Sequence, residues 1–395
     1  MGPVDKIAVN HLSKIFGPHP EEALDLLDQG VHKDEIFART QNTVGVRDVS
    51  LSVTAGEVFV VMGLSGSGKS TLVRMLNRLI EPTVGEVLID GQDITKMSEK
   101  ELVEHRRKNT AMVFQSFALL PHLTAVENAA FGLEVAGIER QERHERAMEV
   151  LKEVNLEGYA DSYPDELSGG MQQRVGLARA LAVDPSILLM DEAYSALDPL
   201  IRREMQEELL ELQARKERTV VFISHDLDEA MRIGDRIAMM EGGAVTQIGT
   251  PREILEDPAA DYIREFFQDV DVGEVYTAEH AVDERIVVFR EDQAESPDAM
   301  QRTLEEEGAR YGYVVDGSER FVGVVSVDAL DTAEHGETEA QYLPDPPVVR
   351  SGTHLGHILG KVAASSYPVP VVHRNGCFLG AVSRNSLLST LERKT

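Results

Sequence analysis

The sequence predicts an α/β protein with at least two folded units, and three observations support this. Its 395 residues are two to three times the usual domain length. Over the first 270 residues or so, short β-rich runs alternate with longer helical segments, a pattern typical of a mostly parallel sheet. A glycine-rich segment in this part joins a strand to a helix, and the carboxy-terminal part repeats itself at a constant offset. We therefore expect a large α/β unit followed by a smaller α+β unit.

Charge narrows the classes of function. The chain carries 39 Lys and Arg against 68 Asp and Glu, a formal net charge of −29. Sequence-independent binding to nucleic acid needs clustered cations, so we expect no nucleic-acid partner. The acidic surface has two interpretations: it keeps a soluble protein dispersed by repulsion, or it is adapted to a high-salt cytoplasm.

Cysteine use and hydrophobicity predict the compartment. The single Cys377 permits no intrachain disulfide, and the amino-terminal segment lacks a basic region followed by an apolar run. No run approaches the ~18 apolar residues that cross a bilayer. We expect a chain that works in a reducing cytoplasm and does not span a membrane.

The first departure from the β pattern is an insertion. Apolar spacing predicts a helix over Glu21 to Asp28, with Gly30 as its carboxy-terminal cap and a second short helix after it. We interpret residues 18–42 as an inserted helical pair.

Buried strands and amphipathic helices follow the insertion. Three apolar runs without polar alternation predict strands that are covered on both faces. They are Gly56 to Met62, Ile187 to Met190 and Thr219 to Ser224. Apolar residues three and four apart predict helices over Met148 to Val154 and Ile201 to Leu212.

The glycine-rich segment has the spacing of a phosphate-binding loop. It comprises Gly63, Leu64, Ser65, Gly66, Ser67, Gly68, Lys69, Ser70 and Thr71. Glycines let successive backbone N–H groups curl around phosphate oxygens, and the N-terminus of the helix predicted over Thr71 to Leu79 adds a positive dipole end. Lys69 supplies a positive charge, and the Ser70 hydroxyl is a ligand for Mg²⁺. The segment predicts a site for ATP and Mg²⁺.

Two carboxylates follow the strand predicted over Ile187 to Met190. Asp191 and Glu192 stand at its carboxyl end, where ligands bind in parallel sheets. We expect Asp191 to hold Mg²⁺, directly or through water, and Glu192 to polarise the water that attacks the γ-phosphate.

A third motif carries a resemblance to a known family. The segment Leu167, Ser168, Gly169, Gly170, Met171 and Gln172, ahead of a helix predicted over Arg174 to Leu181, resembles the signature motif of ABC-type ATPases. Gln115 resembles the family's glutamine that contacts Mg²⁺ and the attacking water. Asp198 resembles the D-loop aspartate, and His225 resembles the switch histidine that touches the γ-phosphate.

The resemblance covers about residues 6 to 268 and implies a fold for residues 1–270. That fold is an ABC-type, RecA-like P-loop ATPase core with an antiparallel β-subdomain and a helical subdomain at about 116–170. The resemblance also implies that Phe16 stacks on adenine. The Mg²⁺ ligands it implies are Ser70, Gln115 and Asp191.

The signature motif implies a second copy of the chain. Its hydroxyl, glycine amides and helix N-terminus suit phosphate, yet the same chain already supplies a complete phosphate loop. In the family these two faces meet across a head-to-tail dimer that encloses two ATP molecules. The chain has one phosphate loop and one signature motif, so we expect a homodimer that completes both sites.

Beyond an expected domain boundary at Val270 to Tyr276, the chain contains an internal repeat. Residues Val314, Val315, Phe321, Gly323, Val325, Ser326 and Leu330 recur as Val371, Val372, Phe378, Gly380, Val382, Ser383 and Leu387, an offset of 57 (371 − 314). Each copy predicts strand, turn, strand and helix, with turns at Asp316–Gly317 and Asn375–Gly376 and a connector at Pro344 to Pro347. The repeat resembles a tandem pair of CBS domains within 277–395, at about 277–333 and 342–395, packed about a pseudo-twofold axis.

Three segments together resemble the quaternary-amine importers, those for glycine betaine, proline betaine, carnitine or choline. They are Leu72 to Thr83, the insertion near His19 and the run Met112 to Pro121. The resemblance implies an ATP-hydrolysing subunit at the cytoplasmic face of the membrane, regulated by its CBS pair in osmotic stress. It implies an integral membrane permease docked on the helical subdomain from Phe117 to Tyr163, and an extracellular or membrane-tethered solute-binding protein.

The CBS-like repeat departs from sensors of adenosine phosphates. Where those place an acid for ribose hydroxyls, this chain has Ala329 and Ser386, with Asp328 and Asn385 one place early. This argues against AMP or ATP sensing. A cyclic dinucleotide sensor, an ionic-strength sensor and a ligand-free dimerisation module stay open, so the CBS ligand is unknown.

Two other functions stay open at this stage. One is the ATPase of an ABC importer for another small solute, such as the polar amino acids proline or histidine. The other is a soluble ABC-type ATPase acting on ribosomes or DNA. Such factors usually carry two cassettes, a long coiled coil or basic arms, which this sequence lacks.

Overall fold

The computed structural model divides into two compact units, Met1–Asp269 and Val270–Thr395. It describes residues 4–115, 118–268, 271–283, 285–293, 296–332, 343, 346–373 and 375–392. Several predicted boundaries lie outside these ranges: Phe117, Val270, Pro344 and the copy ends at 333, 342 and 395. Within the described ranges, no helix is both long enough and apolar enough to cross a bilayer.

The strands of the first unit form two sheets. In chain order they are β1 (Asp5–Phe16), β2 (Thr43–Thr54), β3 (Val58–Met62), β4 (Val84–Ile89), β5 (Gln92–Asp93), β6 (Thr110–Phe114), β7 (Ile187–Asp191), β8 (Thr219–Ile223), β9 (Arg236–Glu241) and β10 (Ala244–Gly249). The antiparallel sheet has the order β2-β1-β4-β5. The main sheet has the order β10-β9-β3-β8-β7-β6, in which β10 is antiparallel and every other pairing is parallel. Every residue of β3, β7 and β8 is buried, which confirms the strands predicted from unbroken apolar runs.

The helices of the first unit cover the main sheet, form the insertion and build a separate helical region. They are α1 (Pro20–Asp28), α2 (Lys33–Thr40), α3 (Lys69–Leu76), α4 (Glu99–Asn109), α5 (Ala125–Val135), α6 (Arg140–Glu153), α7 (Gly169–Ala182), α8 (Pro199–Arg215), α9 (Leu227–Ile233), α10 (Pro251–Glu256) and α11 (Asp261–Phe266). The predicted helical pair of the insertion is α1 and α2. Gly30, with φ of 79°, ends α1 as predicted, since its N–H bonds to Leu27 and that of Val31 bonds to Leu26.

The helix after the glycine-rich segment is shorter than predicted. The sequence favours Thr71 to Leu79, but α3 begins at Lys69 and ends at Leu76. Arg78 adopts a left-handed φ of 53°, and the Arg106 guanidinium on α4 takes the backbone carbonyls of Asn77 and Arg78, each at 2.8 Å. The helix ends there because the chain turns: the Arg78 N–H donates to Met75 O and the Ile80 N–H donates to Arg74 O, while Arg106 holds the two residues that follow the helix.

The core of the first unit holds α3 in place. Buried side chains of both sheets surround four residues of α3, Leu72, Val73, Met75 and Leu76, each at most 2% exposed. A helix of eight residues is unstable alone in water, so this packing fixes α3 and the glycine-rich segment that leads into it.

The second unit consists of two copies of one strand and helix arrangement. Its elements are α12 (Val272–Val275), β11 (Val287–Arg290), α13 (Pro297–Glu306), β12 (Tyr311–Val315), β13 (Phe321–Ser326), α14 (Val327–Thr332), β14 (Val349–Arg350), α15 (Leu355–Ala364), β15 (Val369–Val372), β16 (Phe378–Val382) and α16 (Arg384–Glu392). In each copy a parallel strand pair is extended by an antiparallel strand, giving β11-β12-β13 and β14-β15-β16. The register also repeats, since Val314 pairs with Gly323 and Val371 pairs with Gly380 before the same irregularity. The predicted strand, turn, strand and helix repeat is confirmed.

The two copies pair with each other about a local twofold axis. Arg320 and Cys377, equivalent at the offset of 57, form an antiparallel bridge with each other. On either side, the Phe321 N–H donates to Gly376 O at 3.2 Å, and the Phe378 N–H donates to Glu319 O at 2.9 Å. These bonds exchange under a rotation that interchanges the copies, so the copies form one module.

The first turn differs in detail from its prediction. Asp316 Oδ1 accepts the N–H groups of Ser318 and Arg320, each at 2.8 Å, and the left-handed residue is Glu319, with φ of 62°. Gly376 occupies the equivalent place in the second copy, with φ of 85°.

Two glycines of the second copy test this packing. Gly380→Ala should loosen the second unit more than Gly376→Ala, because a Cβ at Gly380 would lie 2.3 Å from Val282 Cγ1, whereas that of Gly376 meets nothing within 4 Å. Both changes add a left-handed cost of roughly 1–2 kcal/mol, and overpacking adds about 1–3 kcal/mol at Gly380 only. Hydrogen exchange of β15 and β16 amides in the full chain measures this. Equal effects of the two variants would contradict the packing described.

Candidate nucleotide-binding site

The glycine-rich segment connects β3 to α3 and lies tightly against neighbouring backbone. Gly63 has φ of 147°, and a Cβ there would stand 2.1 Å from Met240 O. Gly68 has φ of 101°, and its Cβ would stand 2.3 Å from Gly45 O. Any other residue at these positions forces the backbone apart, so the glycines fix the path of the loop.

The loop is closed around the amino group of Lys69. This side chain is buried, and its Nζ donates to Gly63 O at 2.7 Å and to Leu64 O at 3.1 Å. Burial lowers the pKa of Lys69, while the nearby charges of Glu192 and Asp191 act in the opposite direction. Ser67 Oγ is buried, and the described residues offer it no hydrogen-bond partner. A cation, an orphaned hydroxyl and a helix N-terminus at one glycine loop fit a phosphate group.

Asp191 connects the end of β7 to α3. Its carboxylate is buried and accepts hydrogen bonds from Ser70 Oγ at 2.8 Å and Arg74 Nη2 at 3.1 Å. A serine hydroxyl beside a carboxylate oxygen is a donor set that Mg²⁺ accepts. The structure thus brings together two of the three predicted Mg²⁺ ligands, Ser70 and Asp191.

Glu192 lies at the centre of the three predicted catalytic residues. Gln115 Nε2 donates to Glu192 Oε2 at 3.3 Å, and His225 Nδ1 lies 3.5 Å from the same oxygen. The third predicted Mg²⁺ ligand, Gln115, therefore contacts Glu192. The His225 side chain is 53% exposed and that of Glu192 is 20% exposed, so both face a site that is open to solvent.

The sheet register explains this convergence. On the adjacent parallel strands β6, β7 and β8, Phe114 pairs with Asp191, and Asp191 pairs with Ile223. Gln115 and Glu192 come directly after paired residues, and His225 follows two positions after Ile223. Parallel strands that end together place these side chains at one edge.

The signature motif stands at the start of α7. The sequence predicts that the helix begins at Arg174, but it begins at Gly169, because Ser168 caps it by accepting the Met171 N–H at 3.3 Å. Gln172 Nε2 donates to the carbonyls of Pro164 and Leu167 at 2.9 and 3.0 Å. The motif is thereby held at the helix N-terminus, with Ser168, Gly169 and Gly170 at its tip.

Asp198 and Phe16 occupy two further predicted positions. Asp198 caps α8, accepting the N–H groups of Leu200 and Ile201 at 3.2 and 3.1 Å. Phe16 ends β1 with 40% of its surface exposed, and its ring lies 2.7 Å from where a Gly45 Cβ would stand. Because Gly45 O also lies against Gly68, Phe16 is close to the glycine loop.

Sequence reasoning missed several residues around the site. Arg74 was a visible candidate, since it follows Ser70 by four positions and so shares a helix face with it. Ser224, Asp226 and Glu229 lie close to His225 in the chain and hydrogen-bond to one another; of these, the cap that Asp226 forms on α9 has a sequence signal.

Comparison with known proteins agrees with this geometry. A family profile described as ABC transporter matches residues 46–195. The glycine betaine/proline betaine transport system ATP-binding protein ProV of Salmonella typhimurium is 54% identical over 392 residues, 98% of each chain. The glycine betaine transport ATP-binding protein OpuAA of Bacillus subtilis is 48% identical over 98% of this chain and 92% of its own. The trimethylamine N-oxide transport system ATP-binding protein TmoW of Ruegeria pomeroyi is 53% identical over 69% of this chain and 80% of its own.

Solved structures give the same assignment. A bacterial ABC transporter cassette solved as a dimer is 34% identical to this chain, with a TM-score of 0.53. The match covers 62% of this chain and 99% of the cassette. The same cassette in a post-hydrolysis state bound to ADP and phosphate matches equally well. The predicted P-loop ATPase fold is thereby confirmed. Taken with the full-length similarity to the betaine transport relatives, this shows that the chain belongs to the ABC transporter family, in its group of ATP-binding proteins.

Proposed function

We propose that this chain is the ATP-hydrolysing subunit that powers import of a quaternary-amine osmoprotectant through a separate membrane permease. The observation that carries the hydrolytic part is the meeting of Gln115, Glu192 and His225 beside the loop that surrounds Lys69. The solute class is supported by the relatives similar over 98% of the chain, whose names specify glycine betaine or proline betaine.

Each side chain has a proposed task in hydrolysis. Residues 63–71 enclose the phosphates of ATP, with Lys69 as the cation, and Phe16 stacks on adenine. Ser70, Asp191 and Gln115 would hold Mg²⁺, whose positive charge would stabilise the transferring phosphoryl group. Glu192 accepts a proton from the attacking water while Gln115 and His225 fix its carboxylate in place. Because the protein only positions and polarises these groups, each one contributes a large factor to the rate.

The signature motif is proposed to complete the site of a second copy. Residues Leu167 to Gln172 place a hydroxyl and glycine amides at the positive end of α7, a surface suited to phosphate. The phosphate loop of the same chain is complete without this surface. The similar cassette is dimeric, which supports a head-to-tail homodimer with Asp198 near its interface.

The remaining partners follow from the transport role. We assign a permease that docks on the helical subdomain, and an extracellular or membrane-tethered solute-binding protein. We propose that the chain works at the cytoplasmic face of the membrane.

The second unit is proposed to be a tandem CBS pair that regulates transport in osmotic stress. Its support is the twofold pairing of the copies through Arg320 and Cys377. The proposed domains are 1–270 for the cassette and 277–395 for the pair. Its ligand stays open among a cyclic dinucleotide, ionic strength and none.

A second candidate is the ATPase of an importer for another small solute. The observation that favours it is the similarity of 69% of the chain to the ATP-binding protein of a trimethylamine N-oxide transport system, at 53% identity. Similarity within the cassette therefore does not separate one solute from another.

Uptake of labelled glycine betaine after an osmotic upshift tests the function. Cells that lack this chain are complemented with the native chain, with Glu192→Gln, or with Glu211→Gln, the same charge change at an exposed position of α8. We expect the native chain and Glu211→Gln to restore uptake, and Glu192→Gln to leave less than about one hundredth of the rate. Restoration by Glu192→Gln would refute the hydrolytic role. If deletion leaves betaine uptake intact and no redundant importer is present, the second candidate replaces the first.

Light scattering of the full chain tests the dimer. Glu192→Gln should bind Mg-ATP without hydrolysing it, so we expect twice the mass of one chain with Mg-ATP and a single chain with ADP. Ser168→Arg added to this variant places bulk and charge at the tip of α7 and should return the protein to a monomer. A monomer in saturating Mg-ATP before that addition would contradict the proposal.

A further inference from the structure

A buried carboxyl group contacts the residue that precedes the predicted switch histidine. Glu229, on α9, is 6% exposed, and its Oε2 stands 2.5 Å from the hydroxyl oxygen of Ser224, which is 1% exposed. Ser224 is the residue before His225 and is tied to β3 by its N–H, which donates to Val61 O at 3.2 Å. The carboxyl group therefore reaches the backbone segment that carries His225.

The contacts of Ser224 Oγ favour a protonated Glu229. This oxygen accepts the Asp226 N–H at 2.9 Å and lies 3.0 Å from Asp226 O and 2.5 Å from Glu229 Oε2. A hydroxyl has a single hydrogen, so it cannot serve both the Asp226 carbonyl and an ionised Glu229. If Glu229 carries the proton, it donates to Ser224 Oγ, and the hydroxyl hydrogen is then available to Asp226 O.

The other neighbours of Glu229 agree with a neutral acid. Its Oε1 accepts Gln206 Nε2 from α8 at 3.1 Å, and the cation on α8, Arg202, pairs with Asp226 Oδ2 at 2.7 Å. Burial is the largest effect on Glu229 and raises its pKa, and the negative charge of Asp226 raises it further. The hydrogen bonds with Ser224 and Gln206 and the positive charge of Arg202 lower this pKa, but the net shift is upward. Tyr194 is also buried nearby: burial raises the pKa of its phenol, and the charge of Glu229 raises it further. Asp226 thus forms the ion pair with Arg202, and among the described residues Glu229 has no salt bridge of its own.

We propose that Glu229 is a positioning residue for hydrolysis: as a neutral acid it donates to Ser224 Oγ, which closes the turn that holds His225 beside Glu192. Ser224 Oγ then hydrogen-bonds to both the N–H and the carbonyl of Asp226, the residue that follows His225 in the chain. His225 Nδ1 is fixed 3.5 Å from Glu192 Oε2 as a result. The inference rests on the proposed role of Glu192 and His225 in hydrolysis.

Steady-state ATPase of the full chain as a function of pH tests this. Glu229→Ala should lower kcat about tenfold with little change in KM for ATP, and Glu229→Gln should restore most of kcat, because an amide N–H donates to Ser224 Oγ as the acid does. When pH rises through the raised pKa of Glu229, native kcat should fall while that of Glu229→Gln stays level. The two proteins differ only at residue 229, so the difference between their pH profiles isolates Glu229. Asp228→Asn, on the exposed face of α9, should follow the native profile.

Two readouts separate positioning from a purely structural role. Ser224→Ala should lower kcat in the native chain but cause no further loss in a His225→Ala background, because the turn acts through that histidine. Infrared difference spectra of native minus Glu229→Gln should show the C=O band of a carboxylic acid at neutral pH.

Three results would overturn the inference: a tenfold loss of kcat in Glu229→Gln at neutral pH, equal losses from Ser224→Ala in both backgrounds, or an absent acid band. If the native chain itself fails to hydrolyse ATP, the proposed function fails instead. The infrared band still reports the protonation of Glu229 in that case.

Discussion

Asp191 and Glu192 are adjacent in the chain, yet their carboxylates contact different side chains. The backbone conformation at Glu192 makes this possible. Asp191 is the last residue of β7 and binds Ser70 and Arg74 on α3. Glu192 leaves the strand with a left-handed φ of 48°, which costs a non-glycine residue about 1–2 kcal/mol. The turn directs its carboxylate toward Gln115 and His225. In the proposed mechanism, the tasks of holding Mg²⁺ and of activating water are thereby separated within two residues.

The rest of the first unit keeps this junction in place. β6, β7 and β8 run parallel and end together, so residues far apart in sequence meet at one edge. α3 is packed into the core, which fixes the loop around Lys69 before any phosphate binds. The strain at Glu192 persists because the fully buried β7 leaves the chain little freedom to relax. The hydrogen bond between Glu229 and Ser224 is proposed to hold His225 in position in a similar way.

Sequence patterns predicted what depends on nearby residues and missed what depends on distant ones. Unbroken apolar runs predicted β3, β7 and β8, and motif spacing predicted the loop at Gly63. The predicted end of α3 was wrong because the chain turns at Arg78, and Arg106, on α4, binds the carbonyls of the two residues that follow the helix. The start of α7 was wrong although Ser168, a good helix cap, was visible in the sequence. The protonation of Glu229 depends on three elements packed together, which no local pattern contains.

Mg-ATP binding and single-turnover hydrolysis in Asp191→Asn and Glu192→Gln test the separation of tasks most directly. Asp191→Asn should weaken Mg²⁺-dependent ATP binding roughly 10- to 100-fold, because a neutral amide holds Mg²⁺ less tightly than a carboxylate does. Glu192→Gln should bind Mg-ATP within about twofold of the native chain, yet hydrolyse it roughly 10²- to 10⁴-fold more slowly. If the two variants lose binding and hydrolysis in equal proportion, the two carboxylates share one task and the account is wrong.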